Sequence, residues 1–282
     1  GARKKMSPNP ASDESELLDQ AIRDAGGSSA FLDHLVQHDF TAFSHLVLRL
    51  LLGSAAPTTI PWHVQAMGKV VHEIERGECR RVIVTIAPRH LKSSVMTVAQ
   101  IAWRIGLDPT LKVLLVSYAK GLSKDLLSKV RSVLAHPWYR SAFPGVSLRV
   151  NRADLLETHA GGKVIATSMN AGFTGMGADL IIVDDPLSAQ SAFSERQRER
   201  CRRTFDEGLR SRLDDPARGA IVVVMQRLHE EDLVGHLVTQ AGWEELRVPL
   251  VAEEAQEVPL GHARVERREV GTTIDPARVP PA

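Results

Sequence analysis

From Arg80 onward the sequence alternates short β-branched apolar runs with longer stretches of helical spacing, and this texture restricts the fold more than any other feature of the chain. The runs cover 81–86, 112–117, 163–168, 180–183 and 220–224. Most are apolar at consecutive positions, whereas a strand with one wet face would alternate apolar and polar residues. They are expected to be strands covered by helices on both faces, in a mainly parallel central sheet of the α/β class. Helices are expected over 93–105, 121–135 and 195–212, with another after His229. Upstream, an acidic stretch over 14–24 and an apolar pattern over 31–52 predict a helical segment, closed by Gly53 and Pro57. Beyond Leu250 the sequence turns charged and Pro-containing, and core signals fade.

A chain of 282 residues that is 43% hydrophobic can bury one large core or two modest ones. With 35 Lys+Arg against 34 Asp+Glu the net charge is +1, so any contact with nucleic acid must come from local patches. Cys79 and Cys201 are the two cysteines, which excludes a disulfide framework and a four-cysteine zinc site and fits a reducing compartment. The most apolar stretch, 46–52, is short and broken by Arg49, so no membrane segment or signal peptide is read and the cytoplasm is the expected location. A first residue that is Gly and a Pro-rich stretch over 274–282 suggest a piece of a longer protein.

Chemistry enters at the end of the first run. Val82-Ile83-Val84-Thr85-Ile86 leads into Ala87-Pro88-Arg89-His90-Leu91-Lys92-Ser93-Ser94 and then a helical stretch. A strand, loop and helix in that order gather backbone N–H groups and the positive helix end around one point, which favours phosphate oxygens. Lys92 would add charge on the terminal phosphates, and Ser93 is placed to offer its hydroxyl to Mg²⁺. The standard phosphate-loop pattern G-x-x-x-x-G-K-S/T asks for Gly at 86 and 91, where Ile86 and Leu91 stand. Taken alone, the segment reads equally well as an exposed Lys-Ser-Ser at an ordinary helix start. A second element is Leu180-Ile181-Ile182-Val183-Asp184-Asp185, an apolar strand ending in two carboxylates. That ending suits a site where one carboxylate holds Mg²⁺ and the next orients an attacking water. A turn begun by Asp185-Pro186 is the plainer alternative. The loop and the carboxylate pair together argue for a P-loop ATPase.

Five segments in order carry a resemblance to a family. They are the 87–93 loop, Val116-Ser117-Tyr118, Phe173-Thr174-Gly175-Met176-Gly177-Ala178-Asp179, Ile182-Val183-Asp184-Asp185-Pro186, and Gln226-Arg227-Leu228-His229-Glu230-Glu231-Asp232-Leu233. Over roughly 61–249 the chain resembles the large subunit of bacteriophage terminases. The resemblance implies a P-loop NTPase fold and hydrolysis of ATP with Mg²⁺ to drive double-stranded DNA into a procapsid. It also implies a small terminase subunit, the portal protein and a homo-oligomeric ring as partners, in the host cytoplasm, with a nuclease domain following. Lys92 then matches the phosphate-gripping lysine, Ser93 and Asp184 the magnesium site, and Asp185 the catalytic carboxylate. Arg89 matches a loop arginine at the γ-phosphate, and Arg89, His90, Lys92, Ser93, Ser94 and Gln65 make up the implied ATP site. Gln65 lies in Trp62-His63-Val64-Gln65, similar to the segment that contacts adenine, while Gln226 and Arg227 match a coupling motif. The implied organisation is a helical arm or lid over 1–60, the ATPase domain over 61–250 and a linker over 251–282.

Three positions depart from the family pattern. Leu91 replaces the glycine before the lysine, and its Cβ opposes left-handed backbone angles, so the loop is expected to take another path or to hold nucleotide weakly. Met176 stands where an arginine is frequent, which leaves Arg210, Arg212 and Arg227 as candidates for an arginine finger. Leu228 replaces a frequent Trp. Elsewhere, His34 and His38 read as surface histidines, 172–177 as a flexible loop beside the ATP site, and Trp62, Trp103, Trp138 and Trp243 as core or rim aromatics. The arginines of 196–212, interspersed with Glu, read first as a solvated helix face, a DNA track gaining ground only in a packaging motor. A catalytically silent DNA-binding or assembly module and a P-loop helicase are the alternative functions.

Overall fold

All five apolar runs lie within one eight-stranded sheet. Its strands are β1 (Arg81–Ile86), β2 (Lys112–Ser117), β3 (Leu148–Arg152), β4 (Leu155–Thr158), β5 (Lys163–Ser168), β6 (Leu180–Asp184), β7 (Ala220–Met225) and β8 (Glu244–Val248), in the order β3-β4-β5-β2-β6-β7-β1-β8. The structure is a computed structural model and describes residues 29–276. The acidic stretch over 14–24 and residues 277–282 lie outside the described residues. All pairings from β5 to β8 are parallel, and β3 and β4 add an antiparallel edge.

Helices cover both faces, which is why the central strands are apolar throughout. On one side lie α1 (Ser29–His38), α2 (Phe40–Leu52), α3 (Trp62–Arg76), a π-helical turn Ser94–Ala99 that runs into α4 (Gln100–Leu107), α5 (Lys120–Ala135) and α6 (Pro137–Ala142). They bury Phe43, Met67, Trp103 and Leu127 against Val82, Val84 and Ile182. On the other side α7 (Ala189–Ala192), α8 (Glu195–Arg203) with its π-helical continuation Thr204–Leu209, and α9 (Leu233–Leu237) cover Ile83, Ile181 and Val223. Alternate residues of each strand thus feed two different cores, as the period of two requires.

The helical segment upstream of the sheet belongs to the first of these cores. Asp39 caps α2 by accepting the N–H groups of Thr41 (2.7 Å) and Ala42 (3.1 Å), and Phe40, Phe43 and Val47 are buried with the sheet residues. Trp103 donates its indole N–H to the Val36 carbonyl at 2.9 Å.

Residues after Leu250 stay in contact with the core, contrary to expectation. β9 (Gln256–Gly261) and β10 (Arg264–Arg268) form a hairpin that packs on α3, Ile274 is buried, and Trp62 donates to the Ile274 carbonyl at 3.0 Å. The hairpin is charged on its outer face and turns Val258 inward, so few of its residues signal burial.

Register sets the geometry of the strand ends. Val224 of β7 is level with Asp184 of β6 on one side and Val84 of β1 on the other. The loop after β1 and the carboxylates after β6 therefore open at the same height, about two strand spacings or ~10 Å apart. The carboxyl ends of the strands are where open α/β sheets bind ligands.

Candidate functional site

The loop after β1 takes the path that Leu91 was expected to oppose. Arg89 has φ 63° and Leu91 has φ 68°, both left-handed without being glycine. Each such residue costs about 1–2 kcal/mol. Compensation is visible around them. Leu91 packs its half-buried side chain against the sheet core, His90 is buried with its Nδ1 2.8 Å from the Pro88 carbonyl, and Val95 donates its N–H to the Leu91 carbonyl at 2.9 Å. A packed, half-buried leucine thus occupies a left-handed position. Left-handed residues in such a turn let successive N–H groups converge on one point, the geometry of an anion nest.

Ser93 and Thr97, four residues apart, both face β6. Ser93 Oγ donates to Asp184 Oδ1 at 2.9 Å and Thr97 Oγ1 donates to Asp184 Oδ2 at 2.5 Å. Asp184 is buried, and burial, with the neighbouring Asp185 charge, pushes its pKa up to about 6 against the opposing pull of Lys92, Thr97 and Ser93. Asp185 has φ 46° and leaves the strand line. Its N–H donates to the Val224 carbonyl (2.9 Å), its own carbonyl accepts from Tyr118 N–H (3.1 Å), and its Oδ2 accepts from Lys92 Nζ at 2.7 Å. The two carboxylates have separate partners, Asp184 the two hydroxyls and Asp185 the lysine. Thr97 is the residue that sequence reasoning missed. Its signal was a second hydroxyl one helical turn beyond Ser93.

Four predicted residues, Lys92, Ser93, Asp184 and Asp185, are brought together. Ser94 opens the π-helical turn beside them, and Arg89 is exposed on the loop. The start of α3 also reaches the loop. His63 and His90 lie edge to face with ring centroids 5.8 Å apart, and burial, then His90, lower the His63 pKa to about 4. Gln65 is buried, donating from Nε2 to the Ile60 carbonyl at 3.0 Å, and its Oε1 has no hydrogen-bond partner among the described residues. At the end of β7, Gln226 lines a groove of about 420 Å³ shared with Thr85, Ala87, Pro88 and Arg247. Arg227 turns to the buried Asp232 (3.2 Å) and to the carbonyls of His229 and Glu230, holding the turn that starts α9. Of the other two arginine-finger candidates, Arg210 pairs with Asp206 and Gln240, and Arg212 reaches the Phe173 carbonyl at 3.4 Å.

The residues at the strand ends suit a phosphate-bound divalent cation. One buried carboxylate already holds two hydroxyls, a lysine stands beside it, and one residue past the Val116–Val183 pair Ser117 keeps a buried hydroxyl with no partner among the described residues. Among the described residues no group of three or more His, Cys, Asp or Glu could hold a metal by itself.

Several solved structures are similar to this chain, three of which follow. One is the large terminase ATPase domain of Thermus phage P74-26, in a mutant form, at 12% identity and TM-score 0.44 over 65% of this chain and 81% of that one. The second is the HK97 bacteriophage large terminase, at 12% identity and TM-score 0.46 over 71% of this chain and 40% of that one. The third is a large terminase of a thermophilic bacteriophage in complex with ADP, at 13% identity and TM-score 0.41 over 64% of this chain and 44% of that one. All three are phage large terminases. The chain spans less than half the length of the second and third. No family model matches this chain, and no curated protein matches it in sequence.

Proposed function

We propose that this chain is the ATPase motor of a DNA-packaging terminase, hydrolysing ATP with Mg²⁺ to move double-stranded DNA into a procapsid. One observation carries the reading: a left-handed loop at the end of β1 delivers Lys92 and Ser93 to the two carboxylates that end β6. Bound Mg²⁺ would neutralise charge on the phosphates, with Ser93 and Asp184 on its protein side and phosphate oxygens and water completing the shell. The loop N–H groups and the helix start would bind the phosphates. Lys92 would exchange its bond to Asp185 for one to phosphate. Asp185, released from the lysine, would then orient the attacking water and accept its proton. Arg89 would stabilise charge on the γ-phosphate, with His90, Ser94 and Gln65 completing the nucleotide site. Gln226, beside the loop at the end of β7, and Arg227, which holds the following turn, would report the phosphate state to α9.

The partners of the working motor are proposed with it: double-stranded DNA, a small terminase subunit, the portal protein and further copies of this chain in a ring, in the host cytoplasm. Among the described residues no helix is long and apolar enough to cross a membrane. Cutting of the DNA would belong to a nuclease domain elsewhere in the protein.

Titration with Mg-ATP in a calorimeter, followed by phosphate release, tests the reading. Binding and turnover by the parent, with turnover abolished in Lys92→Ala and Asp185→Asn, would support it. Equal turnover in parent and both variants would overturn it, and so would a parent that gives no Mg-ATP heat, the behaviour of a silent module.

A further inference from the structure

We propose that the outward face of α8, carried by Arg196, Arg200 and Arg203 with Phe193 ahead of it, is a seat for the phosphate backbone of double-stranded DNA. The proposal rests on the translocase reading for its partner and on the following geometry for its place. Positions 196, 200 and 203 share one helical face, and all three side chains are exposed. The opposite face is buried through Arg198 and Cys201 and, in the π-helical continuation, Phe205 and Leu209, so the stripe points straight to solvent. It spans about 10 Å of helix, the axial rise of about three nucleotides of one strand.

A salt-bridged surface helix would use its arginines internally. Here the division is sharp. Arg198 is taken up by Glu231 (2.8 Å) and the Ala192 carbonyl (2.8 Å), while the side chains of Arg196, Arg200 and Arg203 make no ion pair or hydrogen bond among the described residues. Glu199 and Arg203 have the spacing for a pair and do not form one. The three arginines border an open recess of about 710 Å³ with Gln197 and Glu199. Since the whole chain carries only +1, this is a local concentration of charge. Arginine forks suit phosphate oxygens.

Phe193 adds an apolar element. It is 78% exposed, the most exposed of the large hydrophobic side chains described, and sits just ahead of α8. An apolar side chain next to a phosphate-binding row is placed to press against sugars or a base step in the groove. The seat is also tied to the carboxylates. On its buried face Cys201 Sγ lies 3.9 Å from the carbonyl of Pro186, the residue after Asp185.

Anisotropy of a short labelled duplex, measured without nucleotide over a range of salt, tests the seat. The triple variant Arg196→Gln, Arg200→Gln, Arg203→Gln should bind at least about tenfold more weakly, with a salt slope shallower by about 2.7, at ~0.9 for each phosphate no longer neutralised. Phe193→Ala should weaken binding and leave the slope unchanged, and Glu199→Gln should tighten it. A triple variant with the parent's affinity and slope overturns the proposal. So does a parent that binds no DNA, or one that prefers a single strand of equal length to the duplex. Because nucleotide is absent, a parent that binds through these arginines yet fails to hydrolyse ATP would keep the seat and sink the ATPase reading.

Discussion

Lys92 and Asp185 meet across the end of β7, the lysine from the loop after β1 and the aspartate from the turn after β6, with Nζ and Oδ2 2.7 Å apart. Both side chains are mostly buried, so the pair fixes the position of each. On the proposed function, a ligand phosphate would compete with Asp185 for this lysine.

Asp185→Asn should therefore separate binding from turnover. With the carboxylate gone Lys92 is free for phosphate, and Mg-ATP affinity should rise several-fold, about 1 kcal/mol, while turnover falls by about 10²-fold or more. Lys92→Ala should weaken binding and leave Asp185 uncompensated. Calorimetric titration of the two variants checks this, and weaker Mg-ATP binding in Asp185→Asn would show that the pair does not compete with ligand.

Asp184 sets the pH response. Its carboxyl titrates near 6 in the fold and lower in the unfolded chain, so the folded state binds the extra proton between those values. Stability of the ligand-free protein then falls as pH rises through that window, by on the order of 2–3 kcal/mol. Asp184→Asn should be more stable than the parent at pH about 7.5, and the gap should close toward pH about 4, measured by urea unfolding. Mg-nucleotide affinity of the parent should fall below pH about 6, where the carboxyl takes up its proton. A constant stability gap across this range would contradict the burial of that charge.

Leu91 offers a test of the loop itself. Removing its half-buried side chain costs packing in both Leu91→Ala and Leu91→Gly, but only glycine relieves the left-handed strain. Leu91→Gly should be more stable than Leu91→Ala by about 1 kcal/mol, the reverse of the usual order in regular structure. Chemical denaturation of the two variants reads the sign directly, and a more stable alanine variant would mean that the loop is not left-handed in solution.

What could be read in the sequence follows burial. β1, β2, β5, β6 and β7 are covered on both faces, which leaves apolar side chains at nearly every position, and their boundaries are legible to within a residue. β3 and β8 carry Arg149, Arg152, Glu244 and Glu245 on exposed positions and give no apolar run, so an argument from continuous burial passes over them. In the site, Lys92, Asp184 and Asp185 were visible because they interrupt apolar strands and helices at their ends. The tether of Arg227 to Asp232 was not, since a buried N-cap carboxylate that also binds a guanidinium looks like one more charge in His229-Glu230-Glu231-Asp232. Nor was the path of Leu91, where long-range packing overrides a local backbone preference.

Thr97 was equally hidden, and it supplies the most discriminating test of the carboxylate site. Its hydroxyl is one of two donors on a buried charge, the other being Ser93. Thr97→Val preserves shape and leaves Asp184 with Ser93 alone, so the ionised form is deprived of a stabilising hydrogen bond. The pH midpoint for Mg-nucleotide binding should move upward from about 6, weakening binding near neutrality and much less at pH about 8. Thr97→Ser keeps a donor and should restore the parent's midpoint. A role confined to packing predicts the opposite pattern, with the serine variant, which lacks the methyl, impaired more than the valine and no displacement of the midpoint in either.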